Sequence, residues 1–484
     1  MNEITVAWIA LSFFTGFVIY LVPQLSRWLA LGIALSSTVY AGLLFLEPTP
    51  LTIQLLDSFG VTLIVDSLSS FFILTNAIVT TAIILYCWQS DKSPFFFMQM
   101  IILHGSVNAT FICADFISLY VALEVISIAA FLLIAYPRSD RTIWVGLRYL
   151  FVSNVAMLFY LVGVVLVYKV HYSFSFEGLR DSPPDAVALI FLGLLVKGGI
   201  FFSGLWLPLT HSESESPVSA VLSGVVVKAG VFPLVRCALM IEELDPIVRF
   251  FGVGTALLGV VYAILERDTK RTLAYSTISQ LGFILAAPIV GGFYALTHGL
   301  VKSALFLIAG NLPSRDFKKL QQQPISNQLW IVLVIAGFSI SGFPLLSGFG
   351  AKILTSKNLL SWQVIAMNIA AFGTAITYSK FIFLPHQKKS ETSQLKAGFW
   401  WAMAILMGGL VIANVVYYEA YTINNIFKPL IIIGLGWLAY LFMVKKIQIK
   451  LPRTIEKFDH LLGGMSLMLI LLFWSIWTNS SILK

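Results

Sequence analysis

Apolar stretches of membrane-spanning length follow one another along almost the whole chain, and this repetition leaves few folds open. A bilayer core takes about 17 to 25 predominantly apolar residues per helix. Stretches of that order occupy residues 4–22, 25–46, 67–88, 95–113, 115–136, 144–168, 185–206, 217–240, 248–265, 272–290, 293–312, 328–350, 362–385, 398–418, 425–444 and 460–478. Of the 484 residues, 58% are hydrophobic and 11% charged, a balance that no water-soluble body could bury. The expected fold class is an all-α polytopic membrane protein of about 14 to 16 transmembrane helices, without a soluble domain. Between the second and third spans, Leu51 to Val65 reads as a short hairpin, with Thr62-Leu-Ile-Val65 as one strand and Asp66 capping the next helix. The first stretch lacks a basic n-region and a small-residue cleavage site, so it reads as a span and not as a removable signal. Cys87, Cys113 and Cys237 stand singly in apolar runs and suit packing better than a disulfide or a metal.

The net charge of +8 acquires meaning only from where the basic residues fall. With the N-terminus outside, the loops after odd-numbered spans face the cytoplasm. They hold Arg27, Lys92, Arg138, Arg141, Arg267, Lys270, Arg271, Arg315, Lys318, Lys319, Lys388, Lys389, Lys396, Lys445, Lys446, Lys450, Arg453 and Lys457. The other side holds only Lys169, Arg180, Arg249, Lys357, Lys428 and Lys484. That bias is a positive-inside signature, favours an even number of spans and makes nucleic acid unnecessary as a partner.

Seven basic residues remain inside spans. Arg148, Arg236 and Lys380 lie near helix ends, where long side chains are expected to snorkel to the interface. Lys197, Lys228, Lys302 and Lys352 sit near the middle of apolar stretches, as does one acid, Glu124. A charge at that depth costs about 2.5 to 3.5 kcal/mol even on insertion scales. Any single lysine could be neutral or locally paired, but Glu124 can pair with only one at a time. Desolvation favours the neutral form of an amine, and so does an approaching cation. A row of such amines is suited to relaying protons, with Glu124 alternately holding and freeing a lysine partner. In the seventh span Lys197 precedes Gly198 and Gly199, with Gly204 and Pro208 beyond; in the twelfth, Gly342, Pro344, Gly348 and Gly350 precede Lys352. Two interrupted lysine helices five spans apart suggest five-helix repeats of inverted topology.

The stretch Asp268-Thr-Lys-Arg-Thr-Leu-Ala-Tyr-Ser-Thr-Ile278 resembles the D-x-K-R-x-L-A-Y-S-x-I signature of the antiporter-like subunits shared by Mrp-type multisubunit cation/proton antiporters and respiratory complex I. The resemblance extends to Leu205-Trp-Leu-Pro-Leu-Thr-His211, to His298-Gly-Leu-Val-Lys302-Ser-Ala-Leu-Phe-Leu-Ile-Ala-Gly310 and to Gly342-Phe-Pro-Leu-Leu-Ser-Gly-Phe-Gly-Ala-Lys352. It covers roughly residues 60 to 385. It implies N-terminal helices over 1–94, inverted five-helix repeats over 95–240 and 248–385, and C-terminal helices over 386–484. By the same resemblance, Glu124 and Lys197 form a pair on the fifth and seventh spans, and Lys228 connects on the eighth. His298 and Lys302 bridge on the eleventh, and Lys352 terminates the relay on the twelfth. Implied partners are H+, Na+, other membrane subunits of a hetero-oligomer and the lipid bilayer; no cofactor is implied. The membrane would be a bacterial cytoplasmic membrane, or a thylakoid in a photosynthetic cell. The chain is too short for the largest members, and Lys352 stands where one complex I type has Glu; that leaves the Mrp D-type subunit, the favoured reading, and the smaller complex I type. Two features depart from the family: Gly198, Gly199 and Ser203 stand where members commonly carry prolines and a histidine, and two apolar segments follow residue 420.

A membrane redox enzyme is the contrasting class. The six histidines include no pair spaced to hold a haem within one helix, and neither a cysteine cluster nor a nucleotide fingerprint is present. In a redox machine this chain would therefore move protons while other subunits handle electrons. One acidic loop interrupts the basic face. His211, Glu213 and Glu215 form either a solvated turn before Pro217 or an entrance that concentrates cations.

Overall fold

The computed structural model describes residues 2–47, 49–56, 60–388, 395–446 and 453–482; Lys389, Lys450 and Lys484 of the charge count lie outside them. The helices in order are α1 (Asn2–Leu21), α2 (Ser26–Leu46), α3 (Ser67–Tyr86), α4 (Pro94–Thr110), α5 (Phe116–Ile134) and α6 (Asp140–His171). Then follow α7 (Pro184–Gly198), α8 (Leu207–Glu213), α9 (Ser216–Val221), α10 (Lys228–Met240), α11 (Asp245–Leu265) and α12 (Thr269–Ala286). The remainder are α13 (Gly291–Ala309), α14 (Phe317–Leu320), α15 (Asn327–Ser341), α16 (Ser347–Lys357), α17 (Gln363–Ile382), α18 (Ala397–Val416), α19 (Ile423–Phe442) and α20 (Phe458–Ile482). Among the described residues, 12 helices or joined helix pairs are long and apolar enough to cross a membrane. α12 and α17 fall outside that set and carry buried Ser276, Gln280, Thr374 and Thr377.

α13 forms the centre. It packs on α3, α9, α12, α15, α16 and α18, and all of its side chains are buried. Its few polar side chains, His298 and Lys302 among them, are therefore held inside the protein and away from lipid. The expected hairpin is present as β1 (Leu51–Leu56) antiparallel to β2 (Gly60–Val65). It docks on the α4–α5 junction, where Ile64 N–H donates to Ile112 O and Ala114 N–H to Thr62 O, each at 2.8 Å. Asp66 caps α3 by accepting from Ser69 N–H.

Both expected interruptions are there and share one construction. α7 ends at Gly199 with φ 68°, and α15 at Gly342 with φ 84°, a left-handed region in which a Cβ is strained. Phe201 and Leu345, a few residues further on, also hold positive φ. The freed backbone groups find partners inside the protein, as membrane depth requires. Trp206 Nε1–H donates to Val196 O at 2.9 Å, and Phe201 N–H to Thr255 Oγ1 at 3.1 Å. In the second break Leu345 N–H donates to the Tyr421 hydroxyl and Leu345 O accepts from Asn414 Nδ2, both at 3.1 Å.

Charged contacts between spans join residues that alternate crossing places on one side. On one face Lys92 pairs with Glu215, Arg141 with Glu213, and Arg271 with Glu266 and Glu456. On the other Arg236 pairs with Asp66, and Arg249 reaches Ala286 O and Asn358 O. The expectation that Arg148, Arg236 and Lys380 snorkel is corrected, because all three are buried. Lys380 instead caps α11 by donating to Ala263 O at 2.7 Å and Glu266 O at 2.8 Å. Arg148 donates to Glu456 O, and Arg236 forks onto Asp66. A satisfied internal partner replaces the lipid headgroup in each case. The three cysteines are free and buried.

Candidate functional site

Lys197 lies in the last turn of α7, one residue before the helix ends, and is 5% exposed. Its ammonium does not bond to Glu124. It donates to Ser127 Oγ and, at 2.6 Å, to Ser153 Oγ, and these two hydroxyls are themselves 3.1 Å apart. Glu124 lies one turn before Ser127 on α5, within the electrostatic field of Lys197, and its Oε1 is buried without a hydrogen-bond partner. The direct pair expected from sequence is therefore open here, with two serines seated at the lysine instead. Sequence reasoning missed both hydroxyls, although the three-residue spacing places Ser127 on the face of Glu124.

Lys228 opens α10 directly after a π-helical turn at Leu222–Val226. Such a turn releases carbonyls from the regular ladder. Lys228 Nζ donates to two of them, Ser223 O at 3.2 Å and Gly224 O at 2.5 Å. Gly299 on α13 permits the close approach: a Cβ there would lie 2.9 Å from Gly224 O and 3.6 Å from Lys228 Nζ. The Lys228 ammonium thus reaches α13 beside His298. His298 is 3% exposed, neither ring nitrogen has a hydrogen-bond partner, and it lies in the field of both Lys228 and Lys302.

One turn further along α13, Lys302 donates to Leu273 O and to the Tyr378 hydroxyl, each at 2.9 Å. Tyr378 is in turn 2.9 Å from Ser276 Oγ. His298 also lines a small cavity of about 10 Å³ with Gln280, Tyr294, Thr297, Gly348 and Ala351, room for about one water. Tyr294 donates to Gln280 Oε1 at 2.6 Å. Beyond Ala351, Lys352 donates to Ser341 O at 3.2 Å and faces a cavity of about 60 Å³ lined also by Thr355, Ser356, Asn368 and Lys428. Among the described residues none of the four central lysines is ion-paired. Each donates to neutral oxygens, which accept from an ammonium and, more weakly, from a neutral amine. Proton exchange at these groups therefore need not break a salt bridge.

The acidic loop meets basic residues from other elements. Glu215 is held by Lys92, Glu213 lies 3.6 Å from Arg141, and Lys270 Nζ donates to Ser214 O at 2.8 Å. His211 is fully buried and stacks on Phe306 at 4.8 Å, with both ring nitrogens unpartnered. The loop joins α8 and α9, and each of its carboxylates has a basic neighbour while keeping part of its surface exposed.

Comparison with known proteins places this geometry. Residues 113–377, which contain every lysine of the row, match the family model described as NADH:quinone oxidoreductase/Mrp antiporter, transmembrane. The chain is 26% identical over 376 residues to the D-type subunit of the Na(+)/H(+) antiporter of Alkalihalophilus pseudofirmus, covering 69% of this chain and 75% of that protein. It is 27% identical over 424 residues to NAD(P)H-quinone oxidoreductase chain 4 2 of Microcystis aeruginosa, covering 76% of each. Two solved structures share the fold at a TM-score of 0.77. One is a chain of the archaeal membrane-bound sulfane sulfur reductase, at 21% identity over 91% of this chain and 100% of that one. The other belongs to the Mrp complex of Dietzia sp., at 20% identity over 99% of this chain and 60% of that one. The chain belongs to the NADH:quinone oxidoreductase/Mrp antiporter transmembrane family.

Proposed function

We propose that this chain is a proton-translocating membrane subunit of a multisubunit cation/proton antiporter, exchanging Na+ for H+ through a relay of Glu124, Lys197, Lys228, His298, Lys302 and Lys352. The observation that carries the reading is the row itself: buried Lys197, Lys228 and Lys302 and half-buried Lys352, all seated on neutral oxygens, with the unpartnered His298 between two of them. In this reading, protonation of Glu124 releases Lys197 to the serines and its ionisation draws the ammonium back. The buried cavity beside His298 and the partly open one beside Lys352 offer places for bridging water. The basic bias puts the N-terminus outside in a bacterial cytoplasmic membrane, with a thylakoid as the counterpart in a photosynthetic cell. Other subunits complete the complex, as the multisubunit assemblies of the structural neighbours suggest.

In everted vesicles, Lys197→Ala or Glu124→Gln abolishes Na+-dependent pH-gradient change while the protein stays inserted. Unchanged transport in both variants rejects the relay. The relatives named as quinone oxidoreductase chains support a second reading, a proton-pumping subunit of a redox-driven complex that carries no redox centre itself. The two readings separate on the driving force. Vesicles that respond to added Na+ without any electron donor are antiporting, whereas vesicles that acidify only while a donor is oxidised are redox-driven.

A further inference from the structure

Of the buried acids outside the relay, one lies beside the seat of Lys302. Glu456, just before α20, is 8% exposed. Its Oε1 accepts from Arg271 and, at 2.5 Å, from the Tyr275 hydroxyl, and its backbone oxygen accepts from Arg148 on α6. Arg271 and Tyr275 flank Leu273 on α12, and Leu273 O is one of the two acceptors of Lys302. The next residue, Ser276, contacts Tyr378, the other acceptor. One carboxylate therefore grips the turn that seats Lys302.

From that anchor α20 runs along the opposite half of the relay. Phe458 packs on Phe151 of α6 at 5.1 Å, and α20 lies against α7 and against residues 201–206, the interruption that follows Lys197. Further along, Trp474 meets Phe250 of α11 at 6.4 Å. The last helix is thus a strap with one end on the seat of Lys302 and its body on the break behind Lys197.

We propose that Glu456 is a positioning residue: through Arg271 and Tyr275 it fixes the α12 turn that holds Lys302, and through α20 it ties that turn to the break in α7. Its role in transport rests on the proton-relay reading above, whereas the mechanical tie does not. Two measurements on the full-length chain in its membrane complex test it. In hydrogen exchange of the purified complex, Glu456→Gln accelerates exchange at least about tenfold over both 269–279 and 199–206 and leaves α1 to α4 unchanged. Acceleration confined to residues 453–482 overturns the tie. In vesicle transport, Glu456→Gln and Tyr378→Phe each slow proton movement, and the double variant loses less than the product of the single losses, because both act on one lysine seat. Losses that multiply overturn the positioning role, as does failure of Glu456→Asp to recover more rate than Glu456→Gln. If the unaltered complex moves no protons, the functional reading fails, and the exchange measurement still decides the strap.

Discussion

Ser127 and Ser153 illustrate how much of this site depends on hydroxyls that carry no charge signal. They hold the Lys197 ammonium in a place where water is scarce, and an unsatisfied charged donor there costs about 1 to 3 kcal/mol or more. Ser127→Ala/Ser153→Ala together therefore slow proton translocation about tenfold or more, while Ser127→Thr keeps the acceptor and most of the rate. Initial rates of pH-gradient formation at matched membrane abundance check this. Glu266 makes a prediction outside the spans. Burial pushes its carboxyl up, but Arg271 and the N–H groups of Arg267 and Asp268 more than reverse that and hold it below the usual carboxylate range. A depressed carboxyl contributes stability that is fully present above its unfolded value of 4.5 and is lost as the pH falls through the lower folded value. Glu266→Gln thus lowers the thermal midpoint of the detergent-solubilised protein at neutral pH, and the gap to the unaltered chain closes on acidification.

The two interrupted helices test the element scale. Gly199 and Gly342 end their helices in the left-handed region, and a Cβ at Gly199 would lie 2.4 Å from Leu207 Cδ1. Gly199→Ala therefore costs about 1 to 2 kcal/mol of backbone strain, with the steric conflict added, and lowers both stability and rate. Gly32→Ala on α2, where a new Cβ meets nothing within 4 Å, leaves both unchanged. At the far end of α10, Asp66→Asn keeps a cap for α3 but leaves Arg236 buried without its counter-charge, a loss of about 3 kcal/mol. A thermal-shift series on the three variants ranks them and checks both arguments. The interruptions were legible in the sequence because glycine and proline punctuate any helix. The π turn before Lys228 was not, since Leu222 to Val226 reads as an ordinary apolar run and only packing against Gly299 gives its carbonyls a reason to open.

At the scale of the molecule, the sequence determined the succession of spans, the hairpin, the two breaks and the depth of the charges. Each of these follows from local rules: hydrocarbon thickness fixes span length, glycine and proline fix breaks, and a charge at mid-depth is costly enough to require internal partners. Which groups meet across the bundle lay beyond those rules. The family resemblance paired Glu124 with Lys197, whereas the fold seats Lys197 on Ser127 and Ser153. Proximity to helix ends sent Arg148, Arg236 and Lys380 toward the lipid headgroups, whereas the fold gives each an internal acceptor. The basic neighbours of the acidic loop, Lys92, Arg141 and Lys270, come from elements distant in sequence. The partners of a buried polar group are chosen by contacts from helices distant in sequence, and hydroxyls and backbone carbonyls serve as well as carboxylates. Residue type therefore announced that these groups must be satisfied, and only the tertiary structure decided by what.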